Sequence, residues 1–429
     1  MRPCKSSRPK PHAPMVGGAP AQEVRAVGNF HRTGLSMSTD NIADSLAPIA
    51  DHESAAATFH HTRPRRGSTE IDSFLRGVVR LGASDLHLKA GESPRVRVDG
   101  ELHRVEREPA PTEEFEARVL SLLSEDQRRR LLEQGSVDFA YDLDRQVRFR
   151  INVFRQESGL AVAARVVPRK IPSFESLHLP PEVAKLAELE QGLVLVSGIT
   201  GSGKSSTIAA LLEHINCTRS EHIVTIEDPI EFLHESKKSL VNQREVGVNV
   251  PDFALALRAL MREDPDVILV GEMRDPETFR AALQAADTGH LVFGTVHASS
   301  AAQTIDRVLS LLPEDERAAI RQSLVFNLRG IVSQRLVSSS AEGVERVPAV
   351  EVLVATPIVQ KLISEGKDFQ LSDVIAQCSE GMVSLLESLF QLFSQGLIDL
   401  ETGCHAASSP EEFRLRTQGI KKSVAGIVG

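Results

Sequence analysis

Short apolar runs alternate with amphipathic stretches in the second half of the chain, from residue 191 onward. The amphipathic stretches carry apolar residues every three or four positions, which predicts helices. Continuous apolar strands between such helices are typical of a parallel sheet covered on both faces, so residues 191–355 are predicted to form an α/β core. The runs that predict its strands are LVLVS, HIVTIED, VILVGE and HLVFGTVH.

A different pattern occupies residues 68–170, where short alternating runs are mixed with helical ones. This mixture predicts a small sheet packed by helices, an α+β domain. A charged run at 113–134, EEFEARVLSLLSEDQRRRLLEQ, is interpreted as one helix. The runs interpreted as strands are SDLHLKA, RVRVDGEL, VRFRINVF and GLAVAARVV.

Three further segments complete the predicted organisation. Residues 171–190 are rich in proline and predict an interdomain linker, and residues 356–429 carry only helical patterns, which predicts a C-terminal helical subdomain and tail. Residues 1–67 contain seven prolines and no sustained periodicity, which is typical of a disordered tail. An alternative explanation is that translation begins at Met37, and the sequence leaves both open.

Composition then narrows the class of protein. A net charge of −9 and the absence of tryptophan argue against a chain whose surface tracks a nucleic-acid backbone. The four cysteines lie far apart without a C-x-x-C pair, so we expect reduced cytosolic thiols rather than a zinc or dithiol site. No apolar run approaches the roughly 20 residues that span a bilayer, and the N-terminus lacks the apolar region of a signal peptide. We therefore expect a cytoplasmic protein.

The stretch GITGSGKS contains the strongest chemical pattern, a phosphate-binding loop. Gly198, Gly203, Lys204 and Ser205 satisfy G-x-x-x-x-G-K-[ST], between a predicted strand and a predicted helix. Glycines let backbone N–H groups surround a phosphate, the lysine offers a positive charge, and Ser205 offers a hydroxyl to Mg²⁺. The residues predicted to bind nucleotide are Gly198, Thr200, Gly201, Ser202, Gly203, Lys204, Ser205 and Ser206.

Hydrolysis of a nucleotide requires a carboxylate near its terminal phosphate. Glu227 and Asp228 close one predicted strand and Glu272 closes another, and in a doubly wound sheet these strand ends lie beside the phosphate loop. We predict that Glu272 orients and deprotonates the attacking water. Glu227 and Asp228 are predicted to assist at the metal or the water. Many such enzymes carry a Mg²⁺-binding aspartate where this chain has Gly271, so the metal should depend more on Ser205. Carboxylates at strand ends also serve as helix caps or in salt bridges.

Two histidines frame the last predicted strand of the core, HLVFGTVH. His297 at its end and His290 at its start are interpreted as candidate sensors of the terminal phosphate. The competing interpretation is structural, because a lone histidine usually has a structural role.

Taken in order, these motifs resemble those of a known family. The family is that of the type IV pilus and type II secretion ATPases. Its Walker A motif is similar to GITGSGKS, and its Asp box is similar to TIEDPIEF and LVNQRE. Its Walker B motif is similar to REDPDVILVGEMRDPET, and its His box to TGHLVFGTVH. ASDLHL, RVDG and RFRIN resemble the family's N-terminal PAS-like domain. The resemblance implies a RecA-like ATPase core, a homohexamer, and arginines from the N-terminal domain that complete the ATP site. By motif position these are Arg150 and Arg165.

Within that family, the chain resembles the PilT retraction branch. It lacks the tetracysteine module of many assembly and secretion ATPases. Two of its stretches, HESKKSLVNQREVG and SSPEEFRLRTQGI, are similar to the retraction branch. It departs at Pro357–Lys367, PIVQKLISEGK, where the branch usually has AIRNLIREGK, and at Ile199, where proline is common.

The resemblance implies a cytoplasmic Mg²⁺-dependent ATPase at the inner face of the membrane. It would hydrolyse ATP to retract type IV pili, contacting an inner-membrane platform protein and, indirectly, pilin. A regulatory paralogue and a pilus-assembly or type II secretion ATPase are the alternatives.

Overall fold

The computed structural model describes residues 70–98, 100–144, 147–167 and 170–420. The predictions for the N-terminal tail, for Met37, for Asp99 in RVDG and for residues 421–429 lie outside the described residues.

Residues 70–167 fold into helices packed on one sheet. The helices are α1 (Glu70–Arg80), α2 (Thr112–Leu122) and α3 (Glu125–Gln134); the strands are β1 (Asp85–Lys89), β2 (Arg95–Val98), β3 (Glu101–Arg104), β4 (Ser136–Asp142), β5 (Arg148–Gln156) and β6 (Gly159–Val167). The six strands pair antiparallel in the order β3-β2-β1-β6-β5-β4. Leu86 and Ile151 of the sheet pack with Leu75 of α1 and Val119 of α2 in one core.

The prediction of a single helix over 113–134 is wrong, because the chain breaks between α2 and α3. Ser124 begins α3 with a capping box: its hydroxyl accepts from Gln127 N at 3.3 Å, and Gln127 Oε1 accepts from Ser124 N at 2.8 Å. These bonds satisfy backbone N–H groups that have no intrahelical partner where a new helix begins. Gly135, in the left-handed conformation, then leads into β4, a strand that the sequence pattern did not reveal.

The second sheet contains seven strands. These are β7 (Gly192–Ser197), β8 (His222–Glu227), β9 (Leu240–Glu245), β10 (Val267–Val270), β11 (Leu291–Val296), β12 (Leu328–Ser338) and β13 (Arg346–Val354). Their order is β13-β12-β7-β11-β10-β8-β9, and all neighbours are parallel except β12 and β13. The α/β prediction is confirmed, but β9, β12 and β13 were not predicted.

Helices cover both faces of this sheet. Along the fully buried β7, Leu193 and Leu195 belong to one hydrophobic cluster while Val194 and Val196 belong to another, because alternate residues of a strand face opposite sides. The helices are α4 (Pro181–Ala184), α5 (Lys204–Thr218), α6 (Phe253–Leu260), α7 (Pro276–Asp287), α8 (Ala301–Ser310) and α9 (Glu314–Asn327).

After β13 the described chain is helical. It forms α10 (Pro357–Ser364), α11 (Leu371–Ala376), α12 (Leu385–Ser394), α13 (Leu400–Ala406) and α14 (Pro410–Thr417), with short 3-10 turns at Lys185–Glu188 and Asp368–Gln370. The last three helices pack around Phe413 against Val337 of β12 and Val347 of β13. Among the described residues, no helix is both long and apolar enough to cross a membrane.

Gly403 in α13 offers a test of this C-terminal packing. A Cβ at Gly403 would overlap the ring of the fully buried Phe413, so we expect Gly403→Ala to lower the free energy of unfolding by about 1–3 kcal/mol. Gly77→Ala in α1 is the matched control, because nothing lies within 4 Å of its added Cβ and alanine favours a helix. Urea unfolding followed by circular dichroism measures both variants. Equal stability of the two would contradict the packing.

Candidate active site

The phosphate loop occupies the turn between β7 and α5, and close packing fixes its glycines. Gly203 has φ +86°, and a Cβ there would lie 2.7 Å from Gln334 Nε2. A Cβ at Gly198 would overlap the backbone oxygen of Gln334 and the Ser202 side chain. Only glycine fits these positions, so the backbone can curve closely enough to surround a phosphate.

Gln334 of β12 holds this loop from behind. Its Nε2 donates to Ser202 O at 2.7 Å, and its Oε1 accepts from Thr207 Oγ1 at 2.7 Å. The side chain is almost fully buried. Gln334 was not predicted as a site residue, although a glutamine within the apolar run IVSQRLV is a signal that could have found it.

Lys204 is the side chain of the loop that fits an anionic group. Its Nζ donates to the loop's own carbonyls, Gly198 O at 2.9 Å and Ile199 O at 3.0 Å. Burial lowers the pKa of Lys204, and the carboxylates of Glu272 and Glu231 oppose that shift. A phosphate in the cleft would give the Lys204 ammonium an anionic partner.

The cleft in front of the loop has a volume of about 630 Å³. It is lined by the predicted nucleotide-binding residues Thr200, Gly201, Ser202, Gly203, Lys204, Ser205 and Ser206. Gly198 shapes the turn behind them.

Glu272 follows β10 and faces this cleft with its side chain 19% exposed. Its Oε1 lies 2.9 Å from His297 Nε2 and also contacts Arg274 Nε. The Arg274 contact is an ion pair, and neither contact is aligned as a hydrogen bond to this buried oxygen. Burial alone would raise the pKa of Glu272, but Arg274 and His297 together hold it below its usual value. Glu272 is therefore ionised at neutral pH.

Gly271 explains why an aspartate is missing before Glu272. A Cβ at Gly271 would lie 3.1 Å from both Glu227 Cα and Ile226 O on the neighbouring β8. An aspartate there would push against the backbone of β8, which disfavours it, and the Glu227 carboxyl group lines the cleft instead.

Glu227 and Asp228 both line the cleft, but their environments differ. Glu227 is only 9% exposed and accepts from Thr225 Oγ1 at 2.6 Å and Gln243 Nε2 at 3.1 Å. Burial raises the pKa of Glu227 against these hydrogen bonds. Asp228 is exposed at the rim, which makes it the more accessible carboxylate for a solvated metal or water.

The two histidines lie at opposite ends of β11. His297 reaches the cleft and contacts Glu272. His290 Nδ1 contacts Ala285 O at 2.9 Å and Thr288 Oγ1 at 3.1 Å at the other edge of the sheet. Six strand residues at about 3.3 Å each separate the two histidines. The prediction that His290 joins this chain's phosphate site is therefore wrong.

Arg150 and Arg165 reach the same cleft from the first sheet. They are directly opposite on β5 and β6, so their side chains share one face. Arg165 Nε donates to Asp85 Oδ1 at 2.7 Å, and Arg150 Nε lies 3.6 Å from Asp138 Oδ1. Both guanidinium groups are substantially exposed and available to an anion.

Among the described residues, the side chains of the cleft do not form a Mg²⁺ site by themselves. Within the described ranges, no group of three or more His, Cys, Asp or Glu side chains could hold a metal ion without a nucleotide. Ser205, in the first turn of α5, lines the cleft with Asp228 and Glu272. One hydroxyl beside carboxylates fits a Mg²⁺ that takes most of its ligands from phosphates and water.

Comparison with known proteins identifies the family. The model for "Type II/IV secretion system protein" matches residues 68–428. The chain belongs to this family.

Individual relatives are also close. The chain is 44% identical over 345 residues to the type IV pilus retraction ATPase PilT of Pseudomonas aeruginosa, covering 80% of this chain and 100% of that protein. It is 44% identical over 321 residues to a twitching motility protein of Neisseria gonorrhoeae, covering 74% and 85%. A solved structure of the pilus retraction motor PilT with bound ADP has a TM-score of 0.74 and 45% identity, covering 80% and 98%.

In this secretion-family chain, the cleft also contains residues that sequence reasoning missed. Arg274, Glu231, Phe232 and His234 all line it. Arg274 lies two positions after Glu272 in GEMRDPET, and a cation so close to a candidate base was a usable signal. His234 could not have been found in this way, because the chain must fold back before its Nδ1 comes within 3.3 Å of Glu213 on α5.

The role of Gln334 in shaping the loop can be tested by nucleotide binding. Gln334→Leu removes the bond to Ser202 O and leaves a buried carbonyl without its donor. We expect ADP to bind about tenfold more weakly, from a loss of about 1–2 kcal/mol. Gln395→Leu, at the exposed end of α12, is the control. Isothermal titration of ADP measures both, and unchanged affinity in Gln334→Leu would show that the loop needs no anchor.

Proposed function

We propose that this chain is a hexameric motor ATPase that hydrolyses ATP to ADP and phosphate and drives retraction of type IV pili. The observation that carries the proposal is the juxtaposition of the phosphate loop with Glu272 and His297 at one edge of the sheet. Its similarity to PilT along that protein's whole length supports the assignment to retraction.

The loop binds the substrate and holds its phosphates. Lys204 exchanges its bonds to Gly198 O and Ile199 O for phosphate oxygens. When bound, Mg²⁺ would take the Ser205 hydroxyl as a ligand and neutralise negative charge on the phosphates.

Glu272 positions the attacking water and accepts its proton. The water oxygen bonds to the terminal phosphorus, the bond from that phosphorus to the bridging oxygen breaks, and ADP carries away the electron pair. His297, in contact with Glu272, is positioned to detect the terminal phosphate.

Arg150 and Arg165 supply positive charge from the first sheet. Charge on the phosphates changes during hydrolysis, so their attraction for these arginines changes as well. We infer that the resulting movement between the two sheets is the motor's working step. A hexamer would pass this movement to a platform protein at the inner face of the cytoplasmic membrane and, through it, to pilin.

The catalytic assignment can be tested with Glu272→Gln, which removes the base while keeping the shape. We expect kcat for ATP hydrolysis to fall by about a hundredfold to ten-thousandfold, with ADP affinity nearly unchanged. Glu277→Gln, on an exposed side chain of α7, is the matched control and should retain wild-type kcat. Phosphate release at saturating ATP is the measurement. Comparable rates in Glu272→Gln and wild type would refute the assignment.

The biological role can be tested by deletion in the source organism. Loss of a retraction motor should leave cells piliated but unable to twitch, whereas loss of an assembly motor should leave them without pili. Wild type should restore motility and Glu272→Gln should not. If Glu272→Gln restores motility, hydrolysis is not the function and the chain is instead a regulatory paralogue. The divergent Pro357–Lys367 segment favours that alternative.

A further inference from the structure

We propose that Arg274 is a movable counter-charge for Glu272. It pairs with the carboxylate while the cleft is empty and transfers to the substrate's phosphates when ATP binds, so that Glu272 is free to take the water's proton only in the loaded site. This inference rests on the proposed ATP hydrolysis.

The asymmetry between the two partners supports this movement. The Arg274 side chain is 74% exposed, while that of Glu272 is 19% exposed. Within the described part of the chain, Glu272 is the sole ion-pair partner of Arg274. The contact lacks the alignment of a hydrogen bond, and the guanidinium end of the pair faces solvent, where water weakens its attraction for the carboxylate. A phosphate bearing more negative charge can therefore displace the carboxylate.

The other groups near Glu272 are less suited to this role. The hydrogen-bond partners of Lys204 are two backbone carbonyls of the loop, so its transfer to a phosphate would not free the carboxylate. His297 directly follows β11 and has a shorter side chain than arginine. Arg274 lies in the short connection between Gly271 and α7, on a long side chain.

Arg274 also has a second anion beside it. Glu272 and then Asp228 are the groups that raise the pKa of Arg274. Asp228 lies at the exposed rim of the cleft, so a guanidinium that leaves Glu272 can remain near Asp228 while it reaches a phosphate. The titratable and charged groups that face Glu272 are Arg274, Lys204 and His297. The carboxyl groups of Asp228, Glu227 and Glu231 line the same cleft.

The proposal can be tested because kcat/KM reports ionisation of the free enzyme, whereas kcat reports ionisation of the enzyme with substrate bound. Removing Arg274 takes away a cation that favours ionised Glu272. The carboxyl of the free enzyme should then be protonated at a higher pH. We expect Arg274→Gln to move the acid limb of kcat/KM upward by about one pH unit. The acid limb of kcat should stay where it is in wild type.

The measurement is ATP hydrolysis by the full chain between pH 3.5 and 8, with circular dichroism at each pH to confirm folding. Arg274→Lys keeps the charge, so the acid limb of kcat/KM should return most of the way to its wild-type pH. Arg258→Gln is the control, because Arg258 is an exposed arginine 3.9 Å from Glu277 and does not line the cleft.

Equal upward shifts in both limbs would mean that Arg274 stays on Glu272 throughout the cycle, which overturns the proposal. A shift in neither limb would mean that Arg274 does not act on Glu272, with the same consequence. Absence of hydrolysis in wild type would instead refute the proposed function, so the two failures are distinguishable.

Discussion

The parallel run of six strands is the constraint on which the site depends. Because β7, β11, β10 and β8 run in the same direction, their carboxyl ends meet at one edge, and that edge collects the phosphate loop, His297, Glu272 and Glu227. A residue at the start of a strand cannot join them, which is why His290 lies at the other edge. The sheet direction thus decides which chemical groups can cooperate.

At that edge of the sheet, close backbone packing at glycines shapes the site as much as the charged groups do. Gly271 allows β10 to approach β8 so closely that a side chain would touch the backbone of Glu227. Gly203 allows the loop to rest against Gln334, whose amide joins the loop to β12. These contacts hold the loop in a curved conformation that suits a phosphate.

Local patterns predicted much of this arrangement. The apolar runs located the central strands, the loop motif located the phosphate cradle, and the strand ends located Glu272 and Glu227, because each depends on residues adjacent in sequence. The parallel sheet also fixes the direction of β11, and this direction places His290 and His297 at opposite edges.

What the sequence did not reveal depends on distant contacts. Gln334 acts on Ser202 and Thr207 from more than 120 residues away, and no local pattern encodes that pairing. The break between α2 and α3 was hidden because the run is helical in composition on both sides of Ser124, and only the capping bonds separate the two helices. The contact of Arg274 with Glu272 likewise depends on where the chain turns after β10.

A crystal structure of the chain with Mg²⁺ and a non-hydrolysable ATP analogue would test the account most directly. We expect the terminal phosphate within hydrogen-bonding distance of Lys204 Nζ, with Arg274 on the phosphate and Glu272 facing an ordered water. An analogue bound outside this cleft, or one whose terminal phosphate lies far from Glu272, would contradict the account.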